Sequence, residues 1–371
     1  MQMPPKPSPL TRRDFLRLSA IGLGSLAASP LLNACSPAPA SPTAPPATAT
    51  AVAAPATATT PASLAGGPLP EIVKFFPAVP SRVIQTHHAG VWSDKALVPG
   101  ALRQMLDASI TKLTGLNDAG EAWAALFRPG EKIAIKVNTF SNSLIWTHYP
   151  LVKAVTDSLQ EAGIPAGQIT IFDAQNFELT TAGYPVNQDG PGVRCAGIFS
   201  DSSDQPSEVL GKKIYLGNIL KNCNALINIP ILKSHMMSGI TFAMKNHYGS
   251  FPSPSTLHSG DMREIAALNA LPEIKDRTRL IIGDALSANL RYANSYPYWQ
   301  EDWIGDSIFM SYDPVAHDTL GLQLLTRELE KVGGNPGSLV GMATPAINYA
   351  VELGLGTSDP ANMQGFEQTV A

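Results

Sequence analysis

The sequence predicts an α/β fold with a mostly parallel sheet flanked by helices, preceded by a disordered tether. Runs of β-branched or continuously apolar residues at 132–138 (KIAIKVN), 168–173 (QITIFD) and 224–229 (NALINI) are typical of buried parallel strands. Helical spacing of apolar residues between the first two runs predicts a crossover helix at 151–162. Residues 36–67 are dominated by Ala, Pro and Thr and carry no charge, so they cannot bury enough apolar surface to fold.

The remaining elements follow from the same patterns along the chain. Gly163 is a candidate C-cap for the crossover helix, and residues 175–212, rich in Gly, Asp, Ser and Pro, predict an excursion. Asp313 followed by Pro314 predicts a helix N-terminus. The other predicted elements are strands at 82–86, 279–284 and 307–311, helices at 101–113, 238–245, 313–330 and 343–353, and a turn at Pro129-Gly130.

The N-terminal segment predicts export and anchoring. Arg12 and Arg13 lie in TRRDFL, which resembles a twin-arginine signal, and a short, weakly apolar stretch follows. Leu-Asn-Ala-Cys at 32–35 resembles a lipobox, in which Cys35 is lipidated. We therefore expect a signal peptide at 1–35, a linker at 36–67 and one α/β domain at 68–371. The expected location is the extracytoplasmic face of the cell membrane, or the periplasm of a two-membrane organism, reached through the twin-arginine export machinery.

Composition excludes several classes of partner and cofactor. The net charge of −4 and the lack of a basic run argue against nucleic-acid binding. Three scattered cysteines are too few for a disulfide framework or an iron–sulfur cluster, and Cys195 and Cys223 are expected to be buried thiols, not a pair. The expected attachment to the membrane is the lipid on Cys35, with the tether joining it to the folded domain.

Polar side chains follow several predicted strands. Ligands bind beyond the carboxyl ends of strands in open parallel sheets. Lys136, Asn138 and Asp173 stand at such ends and are predicted to bind ligand, and Asp284 is predicted to orient a histidine or a metal. One of His87 and His88 could join the same site, since neighbouring strand residues face opposite ways.

The densest group of reactive residues lies between a buried strand and a Pro/Ser-rich loop. Lysines bind carboxylate or phosphate, or become nucleophiles when desolvated, and histidines transfer protons or bind metals. A small anionic ligand is therefore the expected partner, and a divalent metal held by His235 and His258 is one expected cofactor, although the cofactor stays open. Together with Asp284, the predicted catalytic residues are Lys233, His235, Lys245, Asn246 and His258.

Several motifs resemble one family in order along the chain. GEKIAIKVN (130–138), INIPILKSHMMSGITFAMKNHYG (227–249) and SYDPVAHDTLG (311–321) are similar to the family called domain of unknown function 362, and in particular to its twin-arginine-exported branch. The resemblance covers about residues 80–362 and implies no settled activity. Some members carry a ferredoxin-like cysteine cluster, whose spacing this chain lacks.

A more distant resemblance is to lactate racemase-like proteins, which carry a His and a Lys ten residues apart and a further His around a nickel-pincer nucleotide. His235, Lys245 and His258 match this order, although the second spacing differs. The resemblance implies that Lys245 tethers the cofactor and that His258 binds nickel.

Two functional hypotheses follow from these residues. The first is an enzyme that acts on a small anionic substrate through the Lys/His/Asp cluster, with or without a metal. The second is a non-catalytic lipoprotein that binds a ligand or assembles with a partner on its long tether.

Overall fold

The computed structural model describes residues 69–140 and 143–371, so the predicted signal peptide, linker and lipidated Cys35 lie outside the described residues. The strands are β1 Ser81–His88, β2 Trp92–Ser93, β3 Ala96–Leu97, β4 Ile133–Lys136, β5 Ser143–Leu144, β6 Ile169–Asp173, β7 Arg194–Gly197, β8 Ser207–Val209, β9 Lys212–Ile214, β10 Ala225–Asn228, β11 Ile231–His235, β12 Gly239–Thr241, β13 Thr278–Asn289, β14 Trp299–Gln300, β15 Trp303–Ser311 and β16 Met363–Val370. The helices are α1 Pro99–Thr114, α2 Ala119–Leu126, α3 Tyr149–Glu161, α4 Asn176–Thr181, α5 Asn218–Asn222, α6 Glu264–Asn269, α7 Pro272–Lys275, α8 Pro314–Lys331 and α9 Pro336–Glu352.

One large sheet organises the described residues. Its strands run in the order β16-β1-β15-β13-β10-β4-β6-β7, and β11 and β12 branch from β13. The pairs β10–β13, β10–β4, β4–β6 and β6–β7 are parallel, whereas β15 runs antiparallel to both its neighbours. The predicted α/β fold with a mostly parallel sheet is confirmed.

Helices cover both faces of the sheet because alternate strand residues point to opposite sides. In β4, Ile133 and Ile135 pack into the core under α1, α2 and α3, and Ala134 packs into the core under α8 and α9. Lys136 has the same parity as Ala134, so it leaves the strand on the α8–α9 side.

The long strand β13 pairs with two strands in succession. Its first half lies beside β10, with Ile281 opposite Asn228, and its second half lies beside β11, with Asn289 opposite Lys233. Only Ile229 and Pro230 separate β10 from β11. The two short strands therefore continue one line of the sheet past the level where β4 and β6 end.

Most predicted elements are confirmed with shifts of a few residues at their ends. Asp313 caps α8 as predicted, since its Oδ1 atom accepts hydrogen bonds from the backbone N–H groups of Val315 and Ala316. Cys195 and Cys223 are buried and unpaired thiols, also as predicted. None of the helices in the described residues has the length and apolar character needed to cross a bilayer.

Three predictions of local structure were wrong. Residues 238–245 form no α-helix: β12 returns antiparallel to β11, and a 3-10 helix occupies Lys245–Gly249. Gly239 permits this because it has a positive φ of 69° and lies where a Cβ atom would come within 2.1 Å of the Leu339 carbonyl oxygen. The expected excursion at 175–212 contains α4 and the sheet strand β7, and the last helix begins at Pro336, not near residue 343.

Candidate functional site

The carboxyl ends of β4 and β6 bring a lysine and an aspartate together. Lys136 Nζ lies 2.8 Å from Asp173 Oδ1, and both side chains are almost fully buried. The other carboxylate oxygen, Oδ2, accepts hydrogen bonds from the backbone N–H and the hydroxyl of Thr139, at 2.6 and 2.8 Å. Burial lowers the pKa of Lys136, and the Asp173 carboxylate offsets part of that effect. The charges of this pair compensate each other.

A glycine makes room for this ion pair. A Cβ atom on Gly249 would lie 2.1 Å from Asp173 Oδ1 and 2.7 Å from Lys136 Nζ. Any larger residue at position 249 would therefore displace the pair. The 3-10 helix that ends at Gly249 consequently passes directly over the strand ends.

Two buried asparagines extend the polar network across the sheet. Asn246 Oδ1 accepts from Lys136 Nζ at 3.2 Å, and Asn246 Nδ2 donates to Asn228 Oδ1 at 2.7 Å. Asn228 Nδ2 donates in turn to the Ala243 carbonyl oxygen at 2.8 Å. Because each amide has partners on both its atoms, this part of the network is satisfied and rigid.

Lys233 is buried without a carboxylate beside it. Its Nζ donates to Asn138 Oδ1 at 2.8 Å and lies 5.5 Å from the ring centre of Trp299. Burial lowers its pKa to about 7, Asp173 acts in the opposite direction from further away, and Lys136 lowers the pKa further. Lys233 therefore loses its proton at a much lower pH than an exposed lysine does.

The ring of His235 is held by its backbone and by Trp299. Its Nδ1 atom accepts from the backbone N–H groups of Met237 and Ser238, at 3.1 and 3.3 Å, so the ring proton is on Nε2. The ring stacks on Trp299 with centroids 5.5 Å apart, and the ring of His258 lies 6.1 Å away. Burial, Lys245, His258 and Lys233 lower its pKa, in that order, so His235 is neutral.

Lys245 and His258 contact each other directly. Lys245 Nζ lies 3.1 Å from His258 Nε2 and 3.8 Å from the ring centre of Tyr248. His258 Nδ1 is 2.8 Å from the Pro254 carbonyl oxygen, so Nδ1 carries the proton and Nε2 accepts from the lysine. Burial and then Lys245 lower the pKa of His258 to about 3, and burial followed by Lys233 lowers that of Lys245 well below its usual value.

We call Lys233, His235, Lys245 and His258 the lysine–histidine cluster. Among the described residues, neither Lys233 nor Lys245 forms an ion pair with an aspartate or glutamate. The cluster therefore concentrates positive potential, or neutral amines, in a place with little access to water. Such a place can bind an anion or present a nucleophilic amine.

The cluster lies inside a segment that matches a known family. The family model described as "Domain of unknown function (DUF362)" matches residues 133–323, more than half of the 371-residue chain. The chain therefore belongs to the DUF362 family. This confirms the family predicted from the motifs, whereas its twin-arginine-exported branch stays a prediction.

Solved structures similar to this DUF362 chain are distant. A structural-genomics protein of Thermotoga maritima is 11% identical with a TM-score of 0.33, and the match covers 69% of this chain and 59% of that one. The lactate racemase apoprotein of Thermoanaerobacterium thermosaccharolyticum is 10% identical with a TM-score of 0.31, covering 55% and 50%. The chain thus spans less than two thirds of either protein. No curated protein matches it.

The structure brings most of the predicted residues into one connected network. Asp173 pairs with Lys136, Lys136 donates to Asn246, and the amide of Asn138 donates to the same Asn246 oxygen. Lys233 donates to Asn138 and lies over the ring of Trp299, which stacks on His235. Among residues 69–140 and 143–371, no group of three or more His, Cys, Asp or Glu side chains could hold a metal ion.

Three predicted candidates lie elsewhere in the DUF362 chain. Asp284 pairs with His148, whose Nδ1 is 2.8 Å from Asp284 Oδ2, and not with a histidine of the cluster. His87 Nδ1 contacts Asp306 at 2.7 Å, and His88 Nε2 contacts Gln104 at 2.8 Å. These contacts are outside the lysine–histidine cluster.

Four residues outside the predicted site set contribute to these contacts. Trp299, Tyr248 and Thr139 belong to the network, and His148 binds Asp284. Tyr248 is only three positions from Lys245, and aromatic rings stabilise cations at close range, so this contact could have been predicted from the sequence. Trp299 lies more than sixty positions beyond Lys233, so only the tertiary fold reveals its contact.

Proposed function

We propose that this DUF362 protein is an enzyme that binds a small anionic substrate in the lysine–histidine cluster. The observation that carries the proposal is the burial of Lys233 and Lys245 without a carboxylate partner in the described residues. A buried cation without a counter-ion is costly to the folded protein. A bound carboxylate or phosphate would supply the missing negative charge and raise the pKa of both lysines.

The protonation states assign roles to the two histidines. His235 carries its proton on Nε2 and can donate it, whereas His258 Nε2 holds a lone pair directed at Lys245. A proton can pass between Lys245 and His258 over 3.1 Å. In the proposed enzyme the lysines bind the anion and stabilise developing charge, while the histidines exchange protons with it.

A divalent metal stays a prediction for this site. His258 would offer Nε2, but the tautomer of His235 leaves a proton on the nitrogen that a metal would need. In these protonation states the rings of His235 and His258 do not fit a shared metal ion. Elemental analysis of protein purified from its own export pathway, read with its intact mass, tests for both a metal and an adduct on Lys245.

Anion binding is tested by isothermal titration with sodium phosphate and sodium pyruvate. We expect binding that strengthens as the pH falls from 9 to 6, because Lys233 gains its proton over that range. Lys233→Met and Lys245→Met should lose it. Lys213→Met, which removes an exposed lysine, should retain it. Equal binding by all four proteins, or none by any, would contradict the proposal.

Turnover separates the enzyme from a non-catalytic binding protein. Small carboxylic acids are incubated with the protein in D2O, and deuterium uptake at carbon is followed by NMR. Uptake that His235→Gln abolishes, with anion binding retained, supports proton transfer. Binding without uptake in any protein would favour the alternative, a ligand-binding or assembly lipoprotein.

We also propose that the protein is exported and anchored through Cys35, on the strength of the twin-arginine motif and lipobox in the sequence. Replacing Arg12 and Arg13 by lysine should leave the protein in the cytoplasm. Cys35→Ser should release exported protein from the membrane fraction. Membrane association that survives Cys35→Ser would contradict the anchor.

A further inference from the structure

A second polar site lies where Asp284 of β13 holds His148, the residue that precedes α3. Asp284 is fully buried, and its Oδ2 atom accepts from both the backbone N–H and the Nδ1 of His148, each at 2.8 Å. Its Oδ1 accepts from the Leu286 N–H at 3.2 Å. The carboxylate therefore fixes the imidazole with the proton on Nδ1.

The surroundings of His148 restrict its ring further. Trp92 meets the ring edge-on with centroids 5.6 Å apart, and the Trp92 indole donates to the Gly305 carbonyl oxygen at 2.9 Å. Tyr184 Oη donates to the carbonyl oxygen of Thr147 at 2.8 Å and so holds the preceding residue. Trp92 thus restricts the ring of His148 directly, and Tyr184 restricts the backbone before it.

The remaining nitrogen, Nε2, makes no hydrogen bond within the described residues, and 19% of the side chain stays accessible. His148 lines a cleft of about 340 Å³ that is large enough for a small molecule. The other residues that line it are Leu144, Ile145, Trp146, Thr147, Tyr149, Pro150, Ala182, Gly183 and Glu301. No lysine or arginine is among them, so this cleft suits a neutral, partly apolar ligand, unlike the lysine–histidine cluster.

We propose that His148 is a general base, positioned by Asp284, for hydrolysis of a neutral carbonyl compound such as an ester bound in this cleft. Nε2 takes a proton from a water molecule as the water oxygen bonds to the carbonyl carbon. Nε2 then passes its proton to the leaving oxygen as the bond from that oxygen to the carbon breaks, and the acid and the alcohol depart. The Asp284 carboxylate stabilises the imidazolium while Nε2 holds the proton.

The charged and titratable groups facing His148 are Asp284 on β13, Glu301 after β14 and the hydroxyl of Tyr184 after α4. Burial lowers the pKa of His148, but Asp284 and then Glu301 raise it, and the net direction is upward. The base form of His148 therefore needs a higher pH than that of an ordinary histidine, and the rate should rise with pH.

Hydrolysis of p-nitrophenyl acetate by the purified protein tests this inference. His148→Gln should lower the rate above background by about 100-fold, as expected for loss of a general base. His88→Gln, an exposed histidine, should leave it unchanged. Lys213→Met, which removes an exposed lysine outside the cleft, should also leave it unchanged. A rate that is equal in His148→Gln and His88→Gln, or that Lys213→Met abolishes, would overturn the inference.

Two further variants distinguish a reacting histidine from a merely structural pair. Asp284→Asn should shift the midpoint of the pH–rate profile downward, because the carboxylate that raises the pKa of His148 is gone. Leu144→Gln, at a side chain that is 49% exposed on the cleft, removes apolar surface without adding a charge and should raise KM without moving that midpoint. If Asp284→Asn does not fold, Leu144→Gln still tests the inference, because an unchanged KM would contradict binding in this cleft.

Discussion

Two buried lysine regions lie side by side in this protein, and they differ in one respect. Lys136 has Asp173 at 2.8 Å, whereas Lys233 and Lys245 have amide, imidazole and aromatic neighbours. The first arrangement holds the strand ends together. The second leaves charge uncompensated, which a protein retains at a cost in stability. The comparison teaches that burial of a lysine does not by itself indicate function, whereas burial without a counter-ion does.

The largest expected effect comes from breaking the compensated pair. Asp173→Asn leaves Lys136 buried without its counter-ion and weakens the acceptor for Thr139, so we expect a loss of about 3–5 kcal/mol in the free energy of unfolding. Chemical denaturation at pH 7 measures it. A loss under 1 kcal/mol would mean that the two lysine regions do not differ as described.

Crowding the same pair is expected to cost less. Gly249→Ala places a methyl group against Asp173 and Lys136, and we expect a loss of about 2 kcal/mol. Gly100→Ala is the matched control, because nothing lies within 4 Å of its Cβ position near the start of α1. That control should be neutral or stabilising by up to about 1 kcal/mol. Equal effects at both positions would remove the argument for a close approach at residue 249.

Substituting a lysine of the lysine–histidine cluster should instead raise the free energy of unfolding. Lys245→Met removes an amine whose burial disfavours its charge and keeps most of the volume, so we expect a gain of about 1–2 kcal/mol together with loss of anion binding. Thermal and chemical unfolding without added anion would show it. A clear loss of stability would instead assign Lys245 a structural role like that of Lys136.

The smallest expected effect is a pH dependence of the ligand-free protein. Lys233 has a pKa of about 7 in the folded state and about 10.4 when unfolded, so the unfolded state binds more protons between these values. Stability should therefore rise with pH through this window, by about 1 kcal/mol from pH 7 to 8 for this group. Lys233→Met should flatten the rise. Identical curves for the two proteins would show that Lys233 does not titrate near neutral pH.

The fold was largely predictable because local patterns determine it. The apolar runs that became β4, β6, β10 and β13 show buried-strand character in any context, and Asp313-Pro314 is a local helix signal. The edge strand β16 was not predicted, since its alternation of mostly polar residues, MQGFEQTV, gives little burial signal. The turn before β12 was mistaken for helix because the hairpin depends on contact of Gly239 with α9, which no local pattern shows.

The candidate site was predictable in its membership but not in its pairing. Lys136 and Asp173 follow strands that run parallel, so their meeting could be expected from strand order. The partner of Asp284 could not, because His148 is 136 positions away and stands in a loop with no reactive neighbours in sequence. Nor could the sequence distinguish the lysine with a counter-ion from the two without one.

The length of β13 has a consequence for how this molecule tolerates change. The same strand carries Asp284 for one site and, five residues on, pairs at Asn289 with Lys233 of the other, so the span 284–289 connects the two sites. Deleting one residue from that span would turn the following side chains to the opposite face. Insertions and deletions here would therefore uncouple the two sites, whereas changes of side chain could alter either one alone.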